Sequence, residues 1–207
     1  MYKLFLKRTI EIIISVIAII LLIPVWILLA VAIKVDDPGP VFFRQKRIGR
    51  DKNGQKQFFM IFKYRSMKMC TPHDVPTHLL ENPEQYITKV GAFLRKTSLD
   101  ELPQIFNIFM GQMSIVGPRP ALWNQDDLYE ERAKYGANAV MPGLTGWAQI
   151  NGRDELEIDV KAKFDGEYVQ KLNFLFDLRC FFATFFSVLR SDGVVEGGTG
   201  EMNKKRD

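Results

Sequence analysis

The chain of 207 residues has two cysteines, Cys70 and Cys180, and two histidines, His73 and His78. Two distant cysteines build no disulfide framework, which points to a catalytic part on the cytosolic side. The histidines lack companion ligands at metal-binding spacing and read as loop residues. There is no Walker spacing, no dinucleotide-binding glycine fingerprint and no internal repeat, so the usual nucleotide-cradling folds are unsupported. Also missing is a basic stripe interleaved with aromatic platforms, which argues against nucleic acid as a partner. The net charge of +4 suggests an anionic partner, and phosphate-bearing substrates and lipid headgroups both qualify.

Residues 12–33 carry no charge. A helix of that length would just cross a hydrocarbon core of about 30 Å. The run is too long for a secretory signal, and no small-residue cleavage site follows it. Pro24, near its middle, interrupts the hydrogen-bond ladder. Both flanks are basic, with Lys3, Lys7 and Arg8 before and Lys34, Arg44, Lys46, Arg47, Arg50, Lys52 and Lys56 after. A spanning helix would place one cluster on the outer side, against the positive-inside rule. A helix that enters, bends at Pro24 and returns keeps both clusters inside, so a re-entrant segment over residues 1–35 is favoured over a span.

Residues 36–190 form the expected catalytic domain and 191–207 a flexible tail. Two apolar runs, 41–43 and 58–62, flank a polar stretch containing Asn53-Gly54 and read as a β-hairpin. Residues 70–85 hold three prolines and read as a loop. Helices are expected over 87–94, 123–134 and 172–190, and a short strand over 113–116. The last helix carries six phenylalanines, more apolar surface than one core-facing stripe requires. It fits either a core helix or one lying in a membrane interface.

Thr97-Ser98-Leu99-Asp100-Glu101-Leu102-Pro103-Gln104 invites two readings. Ser98 with Glu101 three residues later is a capping box, with both acids favoured by the helix dipole. Pro103 fits such a helix poorly, because it would remove the bond back to residue 99. The alternative is chemistry: a carboxylate serves as a nucleophile or a magnesium ligand, and adjacent acids on a helix point about 100° apart. Candidate phosphate-binding cations are Lys63, Arg65, Arg95, Arg119 and Arg153. Arg119 stands between two prolines and is offered from a stiff loop.

These segments carry a resemblance. Pro-Gly-Pro-Val-Phe-Phe-Arg-Gln at 38–45, Phe-Lys-Tyr-Arg-Ser-Met at 62–67 and Ser-Leu-Asp-Glu-Leu-Pro-Gln at 98–104 come first. Val-Gly-Pro-Arg-Pro at 116–120 and Pro-Gly-Leu-Thr-Gly-Trp-Ala-Gln-Ile-Asn-Gly-Arg at 142–153 follow. With the N-terminal apolar segment, the chain resembles the bacterial sugar transferases. These are monotopic polyprenyl-phosphate phosphoglycosyl transferases, and the capsule or exopolysaccharide type is the nearest. The resemblance implies an α+β fold with a re-entrant membrane helix, a small mostly helical catalytic domain with a short β-hairpin, and interfacial amphipathic helices.

It also implies a ping-pong reaction at the cytoplasmic face of the bacterial inner membrane. Asp100 would attack the β-phosphate of a UDP-sugar, release UMP and pass the phosphosugar to a polyprenyl phosphate such as undecaprenyl phosphate. Glu101 would hold Mg²⁺, while Lys63, Arg95, Arg119 and Arg153 match basic family positions. The partners implied are the UDP-sugar, the lipid and the membrane, and a homo-oligomer is compatible with them. The Ala-Leu after Gly-Pro-Arg-Pro and the adjacent Asn124-Gln125 suggest an N-acetylated deoxyhexose. The family often has Ser-Pro at the helix break, whereas Ile23 precedes Pro24 here. A freed carbonyl would therefore lack the hydroxyl.

Overall fold

A computed structural model of the chain describes residues 2–71, 82–152 and 156–189. Arg153, the two histidines, most of the proline-containing loop and the tail from 191 lie outside the described residues.

After a π-helical turn at Tyr2–Leu6, helix α1 (Lys7–Leu21) and helix α2 (Ile23–Asp36) meet at Leu22, where the axis bends by 61°. The bend places Pro24 in the first turn of α2. An N–H there would have had no intrahelical partner, so the proline costs no ladder bond and no serine hydroxyl is needed to repair one. Among the described residues no single helix is long and apolar enough to cross a membrane; the bent pair is, by length and composition together.

Both ends of the pair are tied to the same body. At the start, Arg8 donates to the carbonyls of Ile108 and Phe109, and Glu11 accepts from Ser114 Oγ and the Ile115 N–H. Lys7 donates to the Val116 carbonyl, the Tyr168 hydroxyl and Asp177, each within 2.8 Å. At the end, Asp36 accepts from the Val90 N–H. The outward faces stay apolar and exposed, from Ile13 and Ile17 through Ile20 and Leu21 to Leu28 and Val31.

Strands β1 (Phe42–Ile48) and β2 (Phe58–Tyr64) form the expected hairpin, antiparallel with Phe42 opposite Tyr64 and Ile48 opposite Phe58. β1 runs well past residue 43. Its Arg44 and Lys46 lie on the open face over the rings of Phe62 and Phe58, so a strand of alternating cations reads as a polar loop. Helix α3 (Lys89–Lys96), capped by Thr88, leads to a 3₁₀ turn at Leu99–Glu101 and then helix α4 (Gln104–Phe109). Strand β3 (Ser114–Val116) pairs in parallel with β4 (Gly143–Thr145), separated by helix α5 (Asp126–Ala133).

Helix α6 (Trp147–Ile150), helix α7 (Ile158–Lys171) and helix α8 (Phe174–Leu189) complete the α+β fold. α7 is not among the helices expected from the sequence. It buries Ala162, Asp165, Gly166 and Tyr168, so its inward face carries little of the apolar periodicity that marks a helix.

The capping box does not form. Ser98 adopts a left-handed conformation (φ 57°) and its side chain makes no cap bond. α4 starts only at Gln104, with Pro103 at the position before it. Pro103 is thus no interruption of a helix but the residue at its threshold.

Candidate active site

The 3₁₀ turn sets the acidic pair. With three residues per turn, Leu99 and Leu102 share a face while residues 100 and 101 point about 120° apart. Leu99 and Leu102 pack against the cluster of Leu29, Ile33, Tyr64 and Leu94, so α2, β2 and α3 together fix the turn. Asp100 is buried, and Glu101 opens slightly more.

Three of the predicted cations surround this pair. Lys63, near the end of β2, places Nζ 2.9 Å from Glu101 Oε1 and 3.7 Å from Asp100 Oδ2. Arg119 grips Glu101 with both terminal nitrogens, Nη2 to Oε1 at 2.8 Å and Nη1 to Oε2 at 3.4 Å. Arg95, at the end of α3, is half-buried and donates through Nε to Ser66 Oγ at 2.8 Å. Burial lowers its affinity for a proton, and the nearby Asp100 charge opposes that fall. Ser66 is absent from the sequence-derived site, although its motif is in it. Its carbonyl lies against Gly91, where a Cβ would come within 2.0 Å, so only glycine lets α3 cross here and bring Arg95 in.

Arg65, expected among the phosphate-binding cations, is committed elsewhere. Its guanidinium donates to the Pro40 carbonyl at 2.7 Å and to both the carboxylate and the carbonyl of Asp37. It lies one residue beyond the end of β2 and staples the 37–40 turn to the hairpin.

The Arg119 loop is held along its backbone. The Gly117 N–H donates to the Thr145 carbonyl and the Gly143 N–H to the Pro118 carbonyl, both at 2.8 Å. Arg47 donates to the Pro120 carbonyl at 3.0 Å, and the Ile48 N–H to that of Ala121 at 2.9 Å. A Cβ at Gly143 would lie 2.1 Å from the Gly117 nitrogen, and one at Gly146 2.1 Å from the Gly117 carbonyl oxygen. The glycines of the Pro-Gly-Leu-Thr-Gly-Trp motif therefore serve close backbone contact with the arginine loop.

The two carboxyls respond oppositely. Burial is the largest influence on Asp100 and raises its pKa; Lys63 pulls it down, Glu101 pushes it up, and Arg95 and Arg119 pull it down, with burial prevailing. Burial also opposes ionisation of Glu101, but the charges and hydrogen bonds of Arg119 and Lys63 outweigh it and hold that carboxyl well below the usual range. The site therefore combines a desolvated carboxylate in reach of several cations with a second one held firmly ionised. Such an arrangement suits attack on, and charge neutralisation of, a phosphate ester.

A UDP-glucose:undecaprenyl-phosphate glucose-1-phosphate transferase of Escherichia coli is 42% identical over 188 residues, covering 87% of this chain and 39% of that protein. The undecaprenyl-phosphate galactose phosphotransferase of Salmonella typhimurium is 36% identical over 203 residues, covering 91% of this chain and 41% of its own length. The chain thus spans about two fifths of these relatives. It spans most of the exopolysaccharide production protein ExoY of Sinorhizobium fredii, at 37% identity over 201 residues and 87% of that protein. Residues 2–191 match the family described as bacterial sugar transferase, and the chain belongs to that family.

Proposed function

We propose that the protein is a phosphoglycosyl transferase that moves a sugar-1-phosphate from a UDP-sugar to a polyprenyl phosphate through a covalent intermediate on Asp100. The observation that carries this reading is the buried Asp100 carboxyl, with Lys63 3.7 Å away and Arg95 and Arg119 acting on it electrostatically. An Asp100 oxygen attacks the β-phosphorus, and the bond from that phosphorus to the bridging oxygen breaks. UMP departs with the bridging oxygen and its electron pair. An oxygen of the lipid phosphate then attacks the same phosphorus, which restores the Asp100 carboxylate. Lys63, Arg95 and Arg119 hold phosphate oxygens during both transfers.

Magnesium fits at Glu101. Among the described residues no group of three or more His, Cys, Asp and Glu could form a closed metal cage. Magnesium is commonly bound by one or two carboxylates together with substrate phosphates, and Glu101 is held ionised beside the nucleophile. Bound there, the ion would neutralise charge on the diphosphate.

The bent α1–α2 pair enters the bilayer and returns to the cytoplasmic face in this reading. Support comes from its apolar outward faces and from the anchoring of both of its ends on one body. α8 lies in the interface: Phe181, Phe182, Phe185 and Phe186 are exposed while Asp177 and Cys180 face inward.

The test is incubation with radiolabelled UDP-sugar without lipid. Wild type should retain label on protein and release UMP, whereas Asp100→Asn should do neither; label trapped by that variant would remove Asp100 as nucleophile. The Escherichia coli and Salmonella typhimurium relatives are named for glucose and galactose, so a panel should include those UDP-sugars beside N-acetylated deoxyhexoses.

A further inference from the structure

Arg132 of α5 and Asp165 of α7 form a buried ion pair that the transfer chemistry does not use. They are 5% and 1% exposed. Arg132 donates from Nε to Asp165 Oδ2 at 2.7 Å, and Nη2 lies 2.7 Å from the same carboxylate oxygen as an ion pair. The same Nη2 reaches across to the carbonyl oxygen of Arg119 at 3.0 Å. A buried pair of this kind seldom adds net stability over an apolar replacement, so its retention here calls for a further reason.

The surroundings supply one. Pro118 and Pro120 are buried on either side of Arg119, and Arg132 lies against them at a small surface cleft. Hydrogen bonds to the loop's carbonyls add to that packing in setting its position. The carbonyls of Pro118, Pro120 and Ala121 are taken by groups of the β-strands and their edges. That of Arg119, the residue whose guanidinium reaches Glu101, is taken by the fork of Arg132.

We propose that Arg132, oriented by Asp165, is a positioning residue: it holds the Arg119 backbone so that the Arg119 side chain meets Glu101 and the diphosphate. Asp165 fixes the plane of the fork, and the planar fork can serve a carboxylate and a carbonyl together. Lysine is a point donor without that geometry. The packing of α5 on α7 thereby becomes part of the phosphate site. The inference rests on the proposed transferase reading.

A double-mutant cycle on the full chain tests it, read as single-turnover UMP release per trapped active site. Arg132→Lys should lower the UMP-release rate about tenfold with Arg119 present, and by less than about twofold in an Arg119→Ala background. Asp165→Asn, which keeps size and leaves Arg132 in place, should show the same non-additivity. Thermal unfolding of each variant checks the fold independently. Equal losses in both backgrounds, or a loss of folded protein with an unchanged rate per trapped site, would overturn the proposal. Failure of the transferase reading looks different, because wild type itself would then release no UMP.

Discussion

Asp100 and Glu101 are chain neighbours whose carboxyls meet opposite fields. The raised pKa of Asp100 means that the folded state disfavours its ionised form. For a carboxyl whose folded pKa lies above its unfolded value, stability falls as pH rises through that interval, and the full cost is present above it. Asp100→Asn should therefore raise the melting temperature by about 2–4 °C at neutral pH, seen by calorimetry, while abolishing label trapping. Glu101 is the reverse case. Its ionic contribution is complete above the unfolded value of about 4.3 and is lost as pH falls toward its depressed folded value.

The same logic predicts the pH–rate profile. In the proposed mechanism the attacking Asp100 is ionised, so UMP release should rise with pH along a limb lying above the ordinary aspartate value of about 3.9. Lys63 pulls that value down. Lys63→Met should move the limb to higher pH, and the pH of half-maximal rate across the full profile measures the displacement. A limb unmoved by the substitution would show that another group sets it.

At the scale of elements, glycines and prolines place the site. Gly143 marks where β4 runs against the Arg119 loop, and a methyl there would collide with the backbone of Gly117. Gly143→Ala should cost about 3 kcal/mol in urea unfolding, at the upper end of overpacking effects, and lower UMP release in the protein that still folds. Pro103 and Pro24 looked like interruptions while each was assumed to lie inside a helix. Both stand at helix beginnings, where a missing N–H is harmless. The break at Leu22 and the start of α4 depend on contacts with other elements, which local pattern does not contain.

For the whole molecule, the proposed membrane contact rests on the distribution of exposed apolar residues. The α1–α2 pair and the α8 phenylalanines leave large apolar faces without cover. Phe181→Ser with Phe185→Ser should release a larger fraction of the protein from liposomes at high salt, measured by flotation, while UMP release by the soluble fraction persists. Single cysteines introduced near Lys7 and near Asp37 should both react with an impermeant thiol reagent from the cytoplasmic side of inverted vesicles. Reaction of the two from opposite sides would establish a span.

The sequence by itself determined the hairpin, the apolar N-terminal segment and the acidic pair with the candidate cations Lys63, Arg95 and Arg119, and its family resemblance implied the α+β class. Those features reside in local chemistry: hydrophobic run length, turn residues and the charges of short motifs. Tertiary structure decided the rest. It turned the supposed capping box into a 3₁₀ turn whose Leu99 and Leu102 pack against the cluster of Tyr64 and Leu94. It assigned Arg65 to the 37–40 turn, revealed α7, and brought Ser66 to Arg95 and Arg132 to the Arg119 carbonyl. A guanidinium in a sequence has a charge but no partner; only folding determines which acceptor desolvation forces it to take.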